Sequence, residues 1–176
     1  MKRHGVFTTV GAIVEKSNDP QRPILVQVRW KEDNNPSNGL LEIPAGHIEP
    51  LEHPFEALKR ETYEESGIVI TSLWPNKEYF SEHNSGWHSL AWTPFCVESC
   101  VNCTRIGLVF VCQGEGKLKE KGDVDAKEAR WMDYTELKRS IENEPNRWFF
   151  FHIGALKKYI QAREKGLIWD NNSIPI

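Results

Sequence analysis

A single domain of the α+β class is the fold that this sequence predicts, and three observations predict it. Two β-branched runs near the N-terminus, "GVFTTVGAIVEK" and "PILVQVRW", flank a turn-forming "SNDPQR". Helix signals then appear twice, once between Pro54 and Gly67 and once in the C-terminal "FFFHIGALKKYIQAREKG". The 176 residues suit one core, and no internal repeat or low-complexity linker divides them, so residues 1–176 read as one unit.

Composition narrows the function classes. With 39% hydrophobic and 27% charged residues, a sizeable core is available and the composition argues against disorder. A net charge of −3 argues against a broad grip on nucleic acid, so no stable nucleic-acid partner is expected. Small anionic ligands stay open if a metal assists. Lys2 and Arg3 precede an apolar run, but Thr8, Thr9 and Glu15 interrupt it and no A-x-A pattern follows, which fits a strand better than a signal peptide. No run reaches the ~18 apolar residues of a membrane span. The expectation is a cytoplasmic protein without a membrane partner. Of the four cysteines, Cys100-x2-Cys103 has the spacing of half a zinc site but lacks a second pair, and Cys96 and Cys112 fall in strands; reduced thiols are expected over a metal site or a disulfide.

The elements follow in order. The first two runs are neighbouring strands, "KEDNNPSNG" is a polar loop, and "LLEIPAG" is a short strand. Pro54 suits a first helical turn, and Gly67 suits the residue just past a helix end. "IVITSLWP", "KEYF", "GWHSLAWTPFCV" and "RIGLVFVC" read as strands, with "ESCVNC" turning between the last two. "ARWMDY" is a short strand, Thr135 caps a helix over "TELKRSIENE", and Gly166 stops the final helix.

The first helix poses a question, because Glu61, Glu64 and Glu65 crowd into five positions behind Arg60. On a helix they share a sector roughly 100° wide, where like charges repel. A solvated acidic face is the plain alternative, yet no basic residue follows within a turn. Converging carboxylates are hard-oxygen ligands for Mg²⁺ or Mn²⁺, and a dication turns repulsion into binding.

Gly46, Glu52, Arg60, Glu61, Glu64, Glu65 and Gly67 stand at the seven fixed positions of G-x5-E-x7-R-E-U-x-E-E-x-G-U, with U a bulky aliphatic. The stretch 46–68 therefore resembles the box of the Nudix hydrolases, departing only in Thr62 at the first U. A chance match is on the order of one in a million. The resemblance implies a loop-helix-loop held against a mixed sheet sandwiched between helices (α/β/α), and metal-dependent hydrolysis of a nucleoside diphosphate linked to a group X. Carried over by position, it implies Glu64 and Glu65 as metal ligands, Glu61 as a third ligand or the general base, and the Ala45 carbonyl facing the metal. It makes Glu52 and Arg60 a salt bridge bracing the box together with Gly46 and Gly67. Some relatives draw the general base from a later loop, where Asp123, Asp125 and Glu128 stand; Asp125 is the choice here, as base or as a further acid at the metal, against a merely solvated loop acid. Glu61, Glu64 and Arg60 make up the expected catalytic group.

The substrate is less legible. "PAGH", Pro44 to His47, resembles both ADP-ribose pyrophosphatases and NudJ-type phosphatases. A strand starting near residue 5 and a proline at 75 depart from the ADP-ribose pattern, which favours nucleoside tri- and diphosphates or related small pyrophosphates. Arg29, Trp30, His47 and Trp87 are candidate substrate contacts, each weighed against a surface charge, core packing or an idle histidine. The aromatic run Trp148 to Phe151 reads as core or a subunit contact, leaving a homodimer open. Rival readings are a catalytically silent binding module of the same fold and a zinc-ribbon nucleic-acid binder. Retention of the box glutamates weakens the first, and the acidic charge balance weakens the second. An isopentenyl diphosphate isomerase would need a cysteine ahead of the helix, and none precedes Cys96.

Overall fold

A computed structural model describes residues 6–31, 34–74, 80–84, 87–100, 103–120, 125–169 and 174–175, with only the backbone of 80–84, 87–90 and 174–175. The chain runs β1 (Phe7–Lys16), β2 (Ile24–Arg29), β3 (Leu41–Glu42), β4 (Ala45–His47), α1 (Pro54–Ser66), β5 (Val69–Trp74), β6 (Phe80–Asn84) and β7 (Trp87–Ala91). It continues β8 (Cys96–Ser99), β9 (Arg105–Glu115), β10 (Ala126–Met132), α2 (Tyr134–Asn143), α3 (Phe150–Glu164) and β11 (Ile174–Pro175). The main sheet has the order β10-β2-β1-β9-β5-β11, with β3, β4 and β8 attached to β2, β1 and β9. It is mixed, because β1 pairs parallel with β9 and antiparallel with β2. β6 and β7 form a separate hairpin.

Alternation along β1 explains the sandwich. Val10, Ala12 and Val14 pack with Ala57 and Leu58 of α1, while Ile13 packs with Leu137 of α2 and Leu156 and Tyr159 of α3. Both faces are covered, so the strand reads as a near-continuous apolar run rather than an alternating one. This is the expected α/β/α arrangement. Trp148, Phe149 and Phe151 are buried and Phe150 is exposed, so the aromatic run is mostly core.

The box helix starts where Pro54 suggests, with His53 Nδ1 accepting from the Phe55 N–H at 3.2 Å. It ends at Gly67, whose φ of +80° is left-handed. A side chain there would also strike the Lys117 carbonyl, 2.7 Å from an added Cβ.

Four expectations need correction. "GWHSLAWTPFCV" is two strands, β7 and β8, broken around Pro94, which offers no N–H to a ladder. "LLEIPAG" is likewise two strands, β3 on β2 and β4 on β1, parted at Pro44, while residues 77–79 of "KEYF" lie outside the described ones and its Phe80 opens β6. Asp133, not Thr135, holds the cap position of α2, and no side-chain hydrogen bond caps it. Cys100 and Cys103 are joined by a disulfide across the β8–β9 turn, which brings their Cα atoms to 5.2 Å. Cys96 and Cys112 are free thiols, and burial pushes both up in pKa. Among the described residues, no helix is long and apolar enough to cross a membrane.

Candidate active site

Two clusters of charge meet where β4 crosses the start of β1. The first is organised by Arg60. Its Nε and Nη2 form a fork on Glu52 at 2.7 and 2.8 Å, and Nη2 also donates to the His47 carbonyl at 3.0 Å. Nη1 donates to Glu61 at 2.8 Å and to Glu64 at 3.2 Å. A guanidinium has five N–H donors, and these five contacts match that number. The fork holds the Glu52 carboxyl down to about 2 and ties the loop before α1 to the helix.

Glu61 presses its carboxylate onto Gly46, where a Cβ would lie 1.9 Å from the Glu61 Cδ. β4 cannot retreat, because Gly46 is held opposite Val10 in the sheet. Burial raises the pKa of Glu61, against the pull of Arg60. Glu64 is more exposed, and its backbone carbonyl accepts from Lys119 Nζ at 2.8 Å.

Glu65 turns away from this group into the protein. It accepts from Gln27 Nε2 at 2.8 Å and from the Ala45 N–H at 3.0 Å. Burial, with the Glu42 carboxylate nearby, pushes its pKa up to about 8. Glu42 is itself buried, bonded by Arg29 Nη1 at 3.0 Å, and burial raises its pKa too. The three box glutamates are thus distributed over Arg60 and Gln27 rather than meeting at a point. Among the described residues, no three His, Cys, Asp or Glu side chains converge as a metal cluster.

The donor set nevertheless suits a hard dication. It is all oxygen, and Gly46 leaves the backbone of β4 open to Glu61. Glu65 carries a pKa that a cation would lower by replacing its proton.

The second cluster lines an adjoining cavity of about 110 Å³. Ala45, Gly46, His47 and Glu61 border it from the box, Arg29 and Lys31 from the end of β2, and Arg105 from the start of β9. Phe149, Phe151 and His152 close it from the first turn of α3. Arg29 lies 4.0 Å from the Phe149 ring centre, and Arg105 lies 5.6 Å from that of Phe151. Asp125 reaches the same cavity, paired with Lys31.

His47 borders the cavity edge-on to Phe7, and burial with the positive charge of Arg105 lowers its pKa. Trp30 is absent from the lining; its ring lies under Lys127 Nζ at 3.3 Å. The side chain of Trp87, and the whole of Asp123, lie outside the described residues. Glu128 is at an irregularity of β10 with φ +52°, away from the cavity.

Sequence reasoning missed Gln27, Glu42, Arg105 and His152. A polar residue inside an apolar strand, as in "LVQV" and "LLEI", was a usable signal for the first two. Arg105 and His152 had none, since only the β1–β9 pairing and the docking of α3 bring them here.

His152 makes a prediction of its own. Its Nδ1 accepts from the Ile43 N–H at 3.3 Å, and burial, with Arg29 and Arg105, lowers its pKa to about 3. The unfolded chain therefore takes up a proton near 6.5 that the folded chain refuses, so this group's effect is loss of stability as pH falls from 6.5 towards 3. His152→Asn keeps an acceptor but cannot titrate. Between pH 6.5 and 4.5 it should lose about 2–3 kcal/mol less stability than the parent, read by urea unfolding at each pH. Parallel pH profiles would refute the assignment.

The profile of the family described as NUDIX domain matches residues 7–152. No curated protein matches the sequence. A NUDIX hydrolase from Nitrosomonas europaea superposes with a TM-score of 0.64 at 18% identity, over 94% of this chain and 76% of that one. A MutT protein from Methanosarcina mazei Go1 gives 0.60 at 14% identity over 93% and 99% of the two chains. An Ap4A hydrolase from C. elegans gives 0.54 at 15% over 92% and 99%. At such identities these three likenesses speak for the fold alone.

Proposed function

The chain belongs to the Nudix family and is a hydrolase of that family, and from that premise we propose that it cleaves a phosphoanhydride bond in nucleoside tri- or diphosphates or related small pyrophosphates with the help of Mg²⁺ or Mn²⁺. One observation carries the reading: Glu61, packed on Gly46 and bonded by Arg60, lines the same cavity as Arg29 and Arg105. Acidic groups suited to a dication thus adjoin cationic groups suited to phosphate.

Glu61, Glu64, Glu65 and the Ala45 carbonyl would hold the cation, with Asp125 as a further acid from the later loop. A bound dication supplies charge neutralisation at the phosphate oxygens and a more acidic water. The chain's own residues do the rest. Arg60 and Glu52 fix Glu61 at the cavity and hold Glu64 beside it. Glu61, bonded by Arg60 at the edge of the cavity, is placed to take the proton of the attacking water where it does not itself serve as a third ligand. Asp125, which reaches the same cavity paired with Lys31, is the alternative base from the later loop. Arg29 and Arg105 orient the phosphates, and His47 borders the entry.

The "PAGH" segment also fits ADP-ribose or nucleotide-sugar pyrophosphatases, and a hydrolysis panel separates these readings. Nucleoside tri- and diphosphates, ADP-ribose, nucleotide sugars and dinucleoside polyphosphates would be offered with Mg²⁺ and with EDTA, and products identified by ³¹P NMR. Metal-dependent turnover that falls about 100-fold or more in Glu64→Gln is the expected result. Full turnover in EDTA or in the variant would overturn it. No turnover on any member of the panel would favour a silent binding module.

A further inference from the structure

We infer that the cavity bordered by Arg29, Arg105 and His152 is a subsite for a terminal, doubly charged phosphate, so that the preferred substrates carry a free phosphomonoester end rather than a sugar-capped pyrophosphate. The inference rests on the hydrolase reading above and sharpens its substrate.

Arg105 is half-buried, and among the described residues it makes no ion pair or hydrogen bond with a carboxylate. Burial and the neighbouring Arg29 lower its pKa, and the Glu42 carboxylate, itself bonded by Arg29, offsets only part of this, so the Arg105 charge is held at a cost. An arginine in such a place is normally paired, because removing a charge from water without a counter-charge is expensive. Its contact with the face of Phe151 offsets only part of that cost.

Arg29 is different, since Glu42 takes its Nη1 and Ser37 takes its Nε. Among the described residues its Nη2 makes no hydrogen bond, so this guanidinium is anchored on one edge and open on the other. His152 supplies a neutral donor. With Nδ1 accepting from Ile43, the ring proton of the neutral form lies on Nε2. The first turn of α3 adds the positive end of a helix.

Size and charge then select the ligand. About 110 Å³ is far below the roughly 300–1,000 Å³ of pockets that enclose whole drug-sized ligands. It takes an anionic head, not a nucleoside. A terminal phosphate brings two charges and three acceptor oxygens to two guanidiniums, whose charge-assisted bonds are about twice as strong as neutral ones. A sugar-capped pyrophosphate has no such end and offers hydroxyls instead.

Isothermal titration of inorganic tripolyphosphate in EDTA tests binding without turnover, on the parent, Arg105→Met and Arg105→Lys. Affinity should fall at least about tenfold in Arg105→Met and less in Arg105→Lys, with no loss of melting temperature in either, because an unpaired buried charge has been removed or conserved. The ratio of kcat/KM for a nucleoside triphosphate over the matching nucleoside diphosphate sugar should fall at least about tenfold in Arg105→Met. Equal tripolyphosphate affinity in all three proteins would overturn the subsite, as would an equal loss on both substrates. Binding that depends on Arg105, in a parent that hydrolyses nothing, would support the subsite while removing the hydrolase reading.

Discussion

Arg60→Met is expected to lower the melting temperature by about 5–10 °C and to remove nearly all turnover. The side chain bonds Glu52, Glu61, Glu64 and the His47 carbonyl at once. Without it, three carboxylates face one another with no counter-charge, and Glu61 is half-buried. Breaking a buried pair costs about 3–5 kcal/mol, but Glu64 is nearly half exposed and its share is screened. About 2–3 kcal/mol is therefore the expected loss, at roughly 2–4 °C per kcal/mol for a chain of this size. Lysine should be little better, since three donors on a flexible stem cannot reproduce a planar fork. Thermal melts and kcat measured together decide the matter. A stable Arg60→Met protein would mean that solvent, not the guanidinium, quiets the glutamates.

Gly46→Ala should separate activity from stability. The added methyl would lie 2.1 Å from either Glu61 oxygen, so the carboxylate must swing out of its place. That movement breaks the contact with Arg60 Nη1 and withdraws the acid from the cavity. Overpacking typically costs about 1–3 kcal/mol, and here the displaced group is a side chain at the edge of the site, so the low end applies. Turnover is expected to fall about 100-fold with a well-folded protein. Parent-like kcat would show that the position of Glu61 does not matter to the reaction.

Much of this architecture was legible, for identifiable reasons. Pro54 and Gly67 bound the box helix because their backbone constraints are local, so no knowledge of the rest of the chain was needed. The two strand runs announced themselves through apolar content, which survives whichever neighbour they choose. The charge puzzle was only half legible. Sequence suggested that a cation must relieve Glu61, Glu64 and Glu65, whereas in the fold Arg60 curls back over the first two and Gln27, from a strand, meets the third. The fold alone shows which way a long side chain bends. Arg105 was invisible because nothing near it in sequence hints at a phosphate. The disulfide was misjudged because its formation depends on how tightly the β8–β9 turn closes.

The pairing of β1 with β9 has a kinetic consequence. Thr9 bonds the carbonyl of Ile106, 97 positions away, and the strands run parallel, so no short hairpin can bring them together. Closing so long a loop is entropically costly before any contact repays it, which places this step late and slow in folding. The box helix is a local structure and can form early, but Arg105 reaches it only once that long closure is complete. Partly folded chains therefore present the acidic helix with Arg60 but without Arg105, which joins only in the final docking of the sheet.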